Sequence, residues 1–250
     1  THYGAFTEGL PYEGIKVEKA SYRYPETEEK AIEQLSLRIK PGEKVAVVGE
    51  NGSGKTTLIS MLLHLLEPEE GKIAVCFDGI KAIMQEFGQY QMSIKENIEI
   101  GVGGKELSDE FVCQILEQVG LMEEIRKFPK GIHTKLGEIN NGTELSKGQW
   151  QRLAIARLLA DEEASIWILD EPTAYLDPIS EIEMYKLIFQ LAGKEKTVLF
   201  ISHRLGFAQF ADYIVLMKAG RVAEVGTHQE LMAADGEYKR MFTVQKKWYE

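Results

Sequence analysis

"GENGSGKT", Gly49 to Thr56, follows the short apolar run "KVAVVG" (44–49) and precedes "TTLISMLLHLL" (56–66), whose apolar residues recur at helical spacing. The order is strand, glycine-rich loop, helix, and the loop matches G-x-x-x-x-G-K-[ST]. Glycines at 49, 52 and 54 let the backbone curl so that consecutive N–H groups point inward at phosphate oxygens. Lys55 adds a mobile positive charge, and Thr56 offers a hydroxyl to Mg²⁺. A chance glycine-rich turn would carry the same letters without the flanking strand and helix.

Working outward, "IKVEKASYRY" (15–24) and "AIEQLSLRIK" (31–40) alternate apolar and polar residues as half-buried strands do, so two strands precede the loop. Strand-helix alternation returns at "ASIWILDEP" (164–172), "EIEMYKLIFQLAG" (181–193), "KTVLFISH" (196–203) and "YIVLMKAGRVAEVG" (213–226). Between them the pattern is helical. In "SDEFVCQILEQVG", Ser108 is placed to cap a helix whose Phe111, Val112, Ile115, Leu116 and Val119 share one face. A parallel-sheet core closing around a helical lobe at 85–160 accounts for this order.

Two strand ends carry acids or a base. "SIWILDEP" ends in Asp170 and Glu171, which alternation turns in different directions, so one is suited to hold Mg²⁺ and the other to face an attacking water as general base. "VLFISHR" brings His203 to a strand tip where a γ-phosphate would sit, although a lone histidine is more often structural. Gln85, in "AIMQEF", stands where the core meets the lobe, and its amide is of a length to reach Mg²⁺ or the attacking water.

Composition bounds what such a site can serve. With 44% apolar and 27% charged residues the chain is of ordinary globular type, and no apolar run nears the ~18 residues that a membrane span needs. A net charge of −10 disfavours nucleic acid as a partner, because phosphate backbones are gripped by clustered Lys and Arg. Cys76 and Cys113 lack metal-ligand spacing and sit in apolar settings, as expected of reduced core residues. The chain opens on Thr1 rather than Met, as a piece of a longer polypeptide would.

Taken together, "GENGSGKT", "IMQEF", "LSKGQWQRLAIAR", "ILDEPTAYLD" and "ISHR" resemble the ATP-binding cassette (ABC) ATPases in order and separation, over nearly the whole chain. The resemblance implies an α/β fold: a P-loop NTPase (RecA-like) parallel-sheet core with an N-terminal antiparallel β-subdomain and an inserted helical subdomain. It implies one ATPase domain over 1–250, with β-subdomain and nucleotide-binding core at 1–84 and 161–250 and the helical signature subdomain at 85–160. ATP would be held by the phosphate loop, including Asn51, Ser53 and, just beyond it, Thr57, and Tyr24 would stack on the adenine. Thr56, Gln85 and Asp170 would hold Mg²⁺, Glu171 would polarise water, and His203 would sense the γ-phosphate.

The same resemblance gives a reason for a second anion-friendly helix start far from the phosphate loop. In the family a signature motif, normally LSGGQ, caps the ATP bound by the other subunit of a head-to-tail dimer. Ser146, Gly148 and Gln149 would face the partner's γ-phosphate, with Lys147 replacing the usual first glycine, and Asp177 would link the two sites. A plain N-cap at Ser146, with Trp150, Leu153, Ala154 and Leu158 packing into a core, is compatible with that role.

The opening "VEKASYRYP" and the ending "GTHQELMAADGEYKRMF" look like an exporter cassette, and "MQEFGQYQMSIKENI" looks most like the cassettes of lantibiotic and related peptide exporters. Exporter cassettes follow a transmembrane domain fused N-terminally and work at the cytoplasmic face of the cell membrane. A nucleotide-gated regulatory module, or a soluble cassette ATPase outside transport, are the alternatives. The loop "LGEINNGTELSKG" departs from the family's pattern, which bears on Glu138 as a contact to the membrane domain.

Overall fold

The computed structural model describes residues 14–75, 79–137, 143–173, 178–202 and 204–246. The chain forms two compact units. Unit 1 comprises Thr1–Ile80, Ser165–Glu171 and Ala192–Glu250, and unit 2 comprises Lys81–Ala164 and Pro172–Leu191.

Unit 1 holds two sheets. The first is antiparallel, with β1 (Ile15–Tyr22) between β2 (Ile32–Ile39) and β4 (Glu70–Val75). Its alternation slips in mid-strand. In β1 the buried apolar residues run Ile15 and Val17, then Ala20 and Tyr22, and in β2 Ile32, then Leu35, Leu37 and Ile39. The register shifts twice, between Val17 and Ala20 and between Ala20 and Tyr22, and an unpaired residue at each shift takes the left-handed conformation, with φ of 49° at Lys19 and 46° at Gln34. Serines from the facing strand catch the displaced amides: Lys19 N–H donates to Ser36 Oγ and Gln34 N–H to Ser21 Oγ, both at 3.0 Å. The bulge restores the apolar face, which a one-residue slip would otherwise turn outward.

In the second sheet, β6 (Ile166–Asp170), β7 (Thr197–Ile201), β3 (Lys44–Val48) and β8 (Tyr213–Lys218) are parallel, and β9 (Arg221–Gly226) is antiparallel at β8's outer side. The run 213–226, a single stretch in the sequence pattern, is therefore a hairpin turning at Ala219 and Gly220. β6 and β7 are buried throughout and β3 from Val45 onward, as strands covered on both faces must be. Register brings Val47, Ile201 and Asp170 level at the carboxyl ends of their strands. From that end the phosphate loop leaves β3 and enters α1 (Lys55–Leu62).

Unit 2 is mainly helical: α2 (Ile94–Glu99), α3 (Asp109–Gln118), α4 (Met122–Ile125), α5 (Lys147–Leu159) and most of α6 (Pro178–Ala192). Ser108 caps α3 through Phe111 N–H, as its sequence position predicts. Val112, Ile115, Leu116 and Val119 are buried, while Phe111 is half-buried. Cys113 is a free thiol and also half-buried, so it is not the core residue that its apolar neighbours suggested; Cys76 lies outside the described residues. No helix among the described residues is long and apolar enough to cross a membrane.

Candidate functional site

In unit 1 the loop from Gly49 to Gly54 curls tightly against β8 and the residue that precedes β2. A Cβ at Gly49 would lie 2.3 Å from the Met217 carbonyl oxygen, and one at Gly54 would lie 2.6 Å from that of Ala31. Both glycines have positive φ, 150° and 100°, so neither position accepts a side chain. Gly220 N–H donates to the Ser53 carbonyl at 3.1 Å, tying the loop to the β8–β9 turn.

Gly54 is the N-cap of α1 and supplies no side-chain hydrogen bond. A helix start without a side-chain cap leaves its first N–H groups aimed at whatever lies beyond, which favours an anion. Lys55 is only 5% exposed, and its Nζ donates to the carbonyls of Gly49 at 2.9 Å and Glu50 at 2.8 Å. Burial holds this ammonium below its usual pKa, while Glu171 and Asp170 pull it back up. Asn51, Gly52 and Thr56 are exposed, whereas Ser53 and Thr57 are buried.

Asp170 ends β6 as a buried carboxylate, and Glu171 follows it at the half-buried surface. Glu171 has φ of 49°, a left-handed conformation rare for a residue with a Cβ and set here immediately before Pro172. Its amide stays tied to the sheet through Ile201 O at 3.2 Å. Burial raises the Glu171 carboxyl pKa and the Lys55 charge opposes the rise. Backbone donors, a buried ammonium and a carboxylate whose ionisation burial resists thus lie beyond the carboxyl ends of β3 and β6, with β7 between them. Such a set can bind a polyphosphate and accept a proton from water.

Tyr22 and Tyr24 differ in exposure, a distinction that alternation could not make. Tyr22 is 9% exposed, in the β1 core, and Tyr24 is 40% exposed just past the strand.

The remaining candidates lie in unit 2 or outside the described residues. Gln85 is exposed, two residues past β5 (Ile80–Ile83). Ser146 caps α5 in a capping box: its Oγ accepts from Gln149 N–H at 3.3 Å, and Gln149 Oε1 accepts from Ser146 N–H at 2.8 Å. Accepting that bond leaves the serine hydroxyl proton able to donate outward. Lys147 and Gly148 form the first turn, with Lys147 exposed; Trp150, Leu153, Ala154 and Leu158 are buried. His203, Asp177 and Glu138 lie outside the described residues.

Sequence reasoning passed over Arg157. It donates to Asn97 O at 3.0 Å, Asn97 Oδ1 at 2.6 Å and Gly88 O at 2.6 Å, and it covers the Tyr90 ring at 5.0 Å. Burial pushes its pKa down to about 10. This guanidinium anchors the chain that follows Gln85. Its only sequence signal was a lone cation in the apolar half-helix "LAIARLL".

A model of the ABC transporter family matches residues 32–174. The chain is 37% identical to the subtilin transport ATP-binding protein of Bacillus subtilis, over 92% of this chain and 39% of that protein. It is also 37% identical to an ATP-dependent lipid A-core flippase of Bordetella avium, over 97% of this chain and 42% of the flippase. The nisin transport ATP-binding protein of Lactococcus lactis is 35% identical over 91% of this chain and 40% of its own length. The chain thus spans about two fifths of each of these relatives. Its backbone superposes on a bacterial Atm1-family ABC exporter solved with ATP bound, with a TM-score of 0.85 and 27% identity, over 98% of this chain and 44% of that one. The curled loop around a buried lysine, the paired acids at the end of β6 and the match over more than half its length agree: the chain belongs to the ABC transporter family.

Proposed function

We propose that this chain is the ATP-binding and hydrolysing part of an ABC exporter. The observation that carries the reading is the confrontation, within unit 1, of the side-chain-uncapped α1 start and Lys55 with the Glu171 carboxylate. The triphosphate lies along the loop from Gly49 to Thr57, with Lys55 moving from its own loop carbonyls to phosphate oxygens. Tyr24 supplies a face for the base. Glu171 takes the proton of the attacking water, and burial, by raising its pKa, makes it a stronger base than an exposed carboxylate.

The donor set also fits Mg²⁺, since a buried carboxylate at Asp170 and an exposed hydroxyl at Thr56 are hard oxygen ligands. When bound, the ion neutralises charge on the transferred phosphoryl group. Gln85 would be a third oxygen ligand by the resemblance alone. His203, at the γ-phosphate, and Asp177, between sites, keep the roles that the resemblance implies.

The capped start of α5 at Ser146, Gly148 and Gln149 is read as the surface presented to the ATP of a second copy in a head-to-tail dimer. Exporter function is supported by the transport proteins and flippases among the relatives and by the exporter of like fold. Their greater length supports a transmembrane domain fused to this one, N-terminal as in exporters generally, with the ATPase on the cytoplasmic face of the membrane. Peptide as cargo rests on the resemblance of the 84–98 stretch to peptide-exporter cassettes; the relatives include subtilin and nisin transport proteins and lipid A-core flippases alike.

The test is steady-state ATP hydrolysis by the purified chain with Mg²⁺. Multiple turnover that increases more steeply than linearly with protein concentration is expected. Turnover strictly linear in concentration, or none at any concentration, would remove the dimeric motor.

A further inference from the structure

Tyr24, although exposed, is held on three sides within unit 1. Its ring meets the buried Tyr22 edge-on, with centroids 5.1 Å apart and planes at 89°. Its phenol oxygen lies 3.2 Å from Thr57 Oγ1, a buried hydroxyl in the first turn of α1. Its backbone starts a tight turn: Thr27 N–H donates to Tyr24 O at 3.2 Å, Pro25 is the second residue, and Glu26 takes φ of 72° at the third. Proline followed by positive φ is the pattern of a type II turn.

An exposed tyrosine ordinarily samples several rotamers, and a ligand that stacks on it must stop that motion at an entropic cost. Here the cost is largely met before binding. We infer that Thr57 is a positioning residue for nucleoside recognition: its side-chain hydroxyl, through the Tyr24 phenol, pre-orients the ring that receives the base. The inference rests on Tyr24 being the base platform. It ties the base end of the site directly to the helix that holds the phosphates, and it gives Thr57 a task besides any contact of its own with phosphate.

Two probes separate the ends of the ligand. ATP engages both, and inorganic tripolyphosphate engages only the phosphate end. Calorimetric dissociation constants for both are measured on the purified chain and on Tyr24→Phe, Tyr24→Ala, Thr57→Ser, Thr57→Val and the Tyr24→Phe/Thr57→Val double variant. Loss of one neutral hydrogen bond predicts that Tyr24→Phe weakens ATP about 3- to 10-fold and leaves tripolyphosphate unchanged. Thr57→Val weakens ATP by more than it weakens tripolyphosphate, and Thr57→Ser, which keeps the hydroxyl, restores ATP binding. In the double variant the ratio of the two constants changes no more than in either single one.

If Tyr24→Ala weakens ATP but Tyr24→Phe does not, the tether is overturned while the base platform stands. If Thr57→Val weakens both ligands equally, Thr57 is a phosphate contact only and the inference falls. If Tyr24→Ala leaves ATP binding intact, the base platform fails and takes the inference with it. Failure of the unmodified chain to bind either ligand would instead overturn the nucleotide reading itself.

Discussion

The Lys55 ammonium and the Glu171 carboxylate stand in each other's field: burial drives their pKa values toward one another, the lysine's down and the glutamate's up, and each charge partly offsets the shift of the other. Each is thus desolvated in part and supported in part. That arrangement is what the proposed reading needs, with Lys55 as the clamp on phosphate and Glu171 as the base.

Replacing Lys55 by Met removes a partly desolvated charge together with its hydrogen bonds to the Gly49 and Glu50 carbonyls, two effects of opposite sign, so the stability of the ligand-free chain should change by no more than about 1–2 kcal/mol. ATP affinity should fall at least about tenfold, since one charge-assisted contact to phosphate is worth about 1.5–3 kcal/mol. Thermal unfolding without ligand and calorimetric titration with ATP check the two halves. A large loss of ligand-free stability would contradict the first.

Glu171→Gln should retain ATP binding, hold the closed dimer and lose about 10²-fold or more in hydrolysis, the usual contribution of a positioned base. A variant that hydrolyses at the wild-type rate would show that another group takes the proton.

The same carboxylate sets a pH dependence. A general base must be ionised, so turnover should fall as pH drops through a pKa above the ordinary carboxylate range. For stability the sign is opposite. A raised folded pKa means that the fold favours the protonated form, so its linked stability is full below the unfolded pKa and is lost as pH rises through the folded one. Glu171→Gln should therefore melt higher than wild type at neutral pH, with the gap closing in acid below about pH 4. Melting curves across pH, without nucleotide, test this directly.

Ser146→Ala removes one half of the α5 capping box and should cost about 1 kcal/mol. For a chain of this size that lowers Tm by about 2–4 °C. Ser146→Asp keeps a good cap but sets a negative charge where a partner's γ-phosphate is expected. Near-normal Tm with hydrolysis lost is the expected result, and preserved hydrolysis would sever α5 from the partner's nucleotide.

Arg157→Lys is not conservative, because one ammonium on a flexible stem cannot reproduce a planar fork reaching Gly88 and both oxygens of Asn97. A loss of about 1–3 kcal/mol is expected from buried acceptors left unmet. Hydrogen exchange should localise the loosening to residues 88–97 before the rest of unit 2 opens.

Most of the fold was legible in runs where a single period holds. β3, β6 and β7 read as covered strands because each is a short apolar run, and α3 because Ser108 and its apolar face agree in phase. Where period and topology part, the pattern fell short. The β1 bulge is invisible to a fixed period of two because the slip lies between two correct half-strands. The 213–226 run reads as one stretch, although Ala219 and Gly220 take positive φ and reverse it.

By itself the sequence determined the chemistry on offer: a glycine loop with Lys55 and Thr56, acids closing an apolar strand, and a serine at a helix start. Those signals are local, because turn, cap and strand end each depend on a few adjacent residues. Only the tertiary structure decided that Tyr24 rather than Tyr22 is exposed, that Tyr24 meets Thr57 33 residues away, and that Arg157 reaches Gly88 and Asn97. Exposure and long-range hydrogen bonds depend on which segments pack together, and no periodicity along the chain records that.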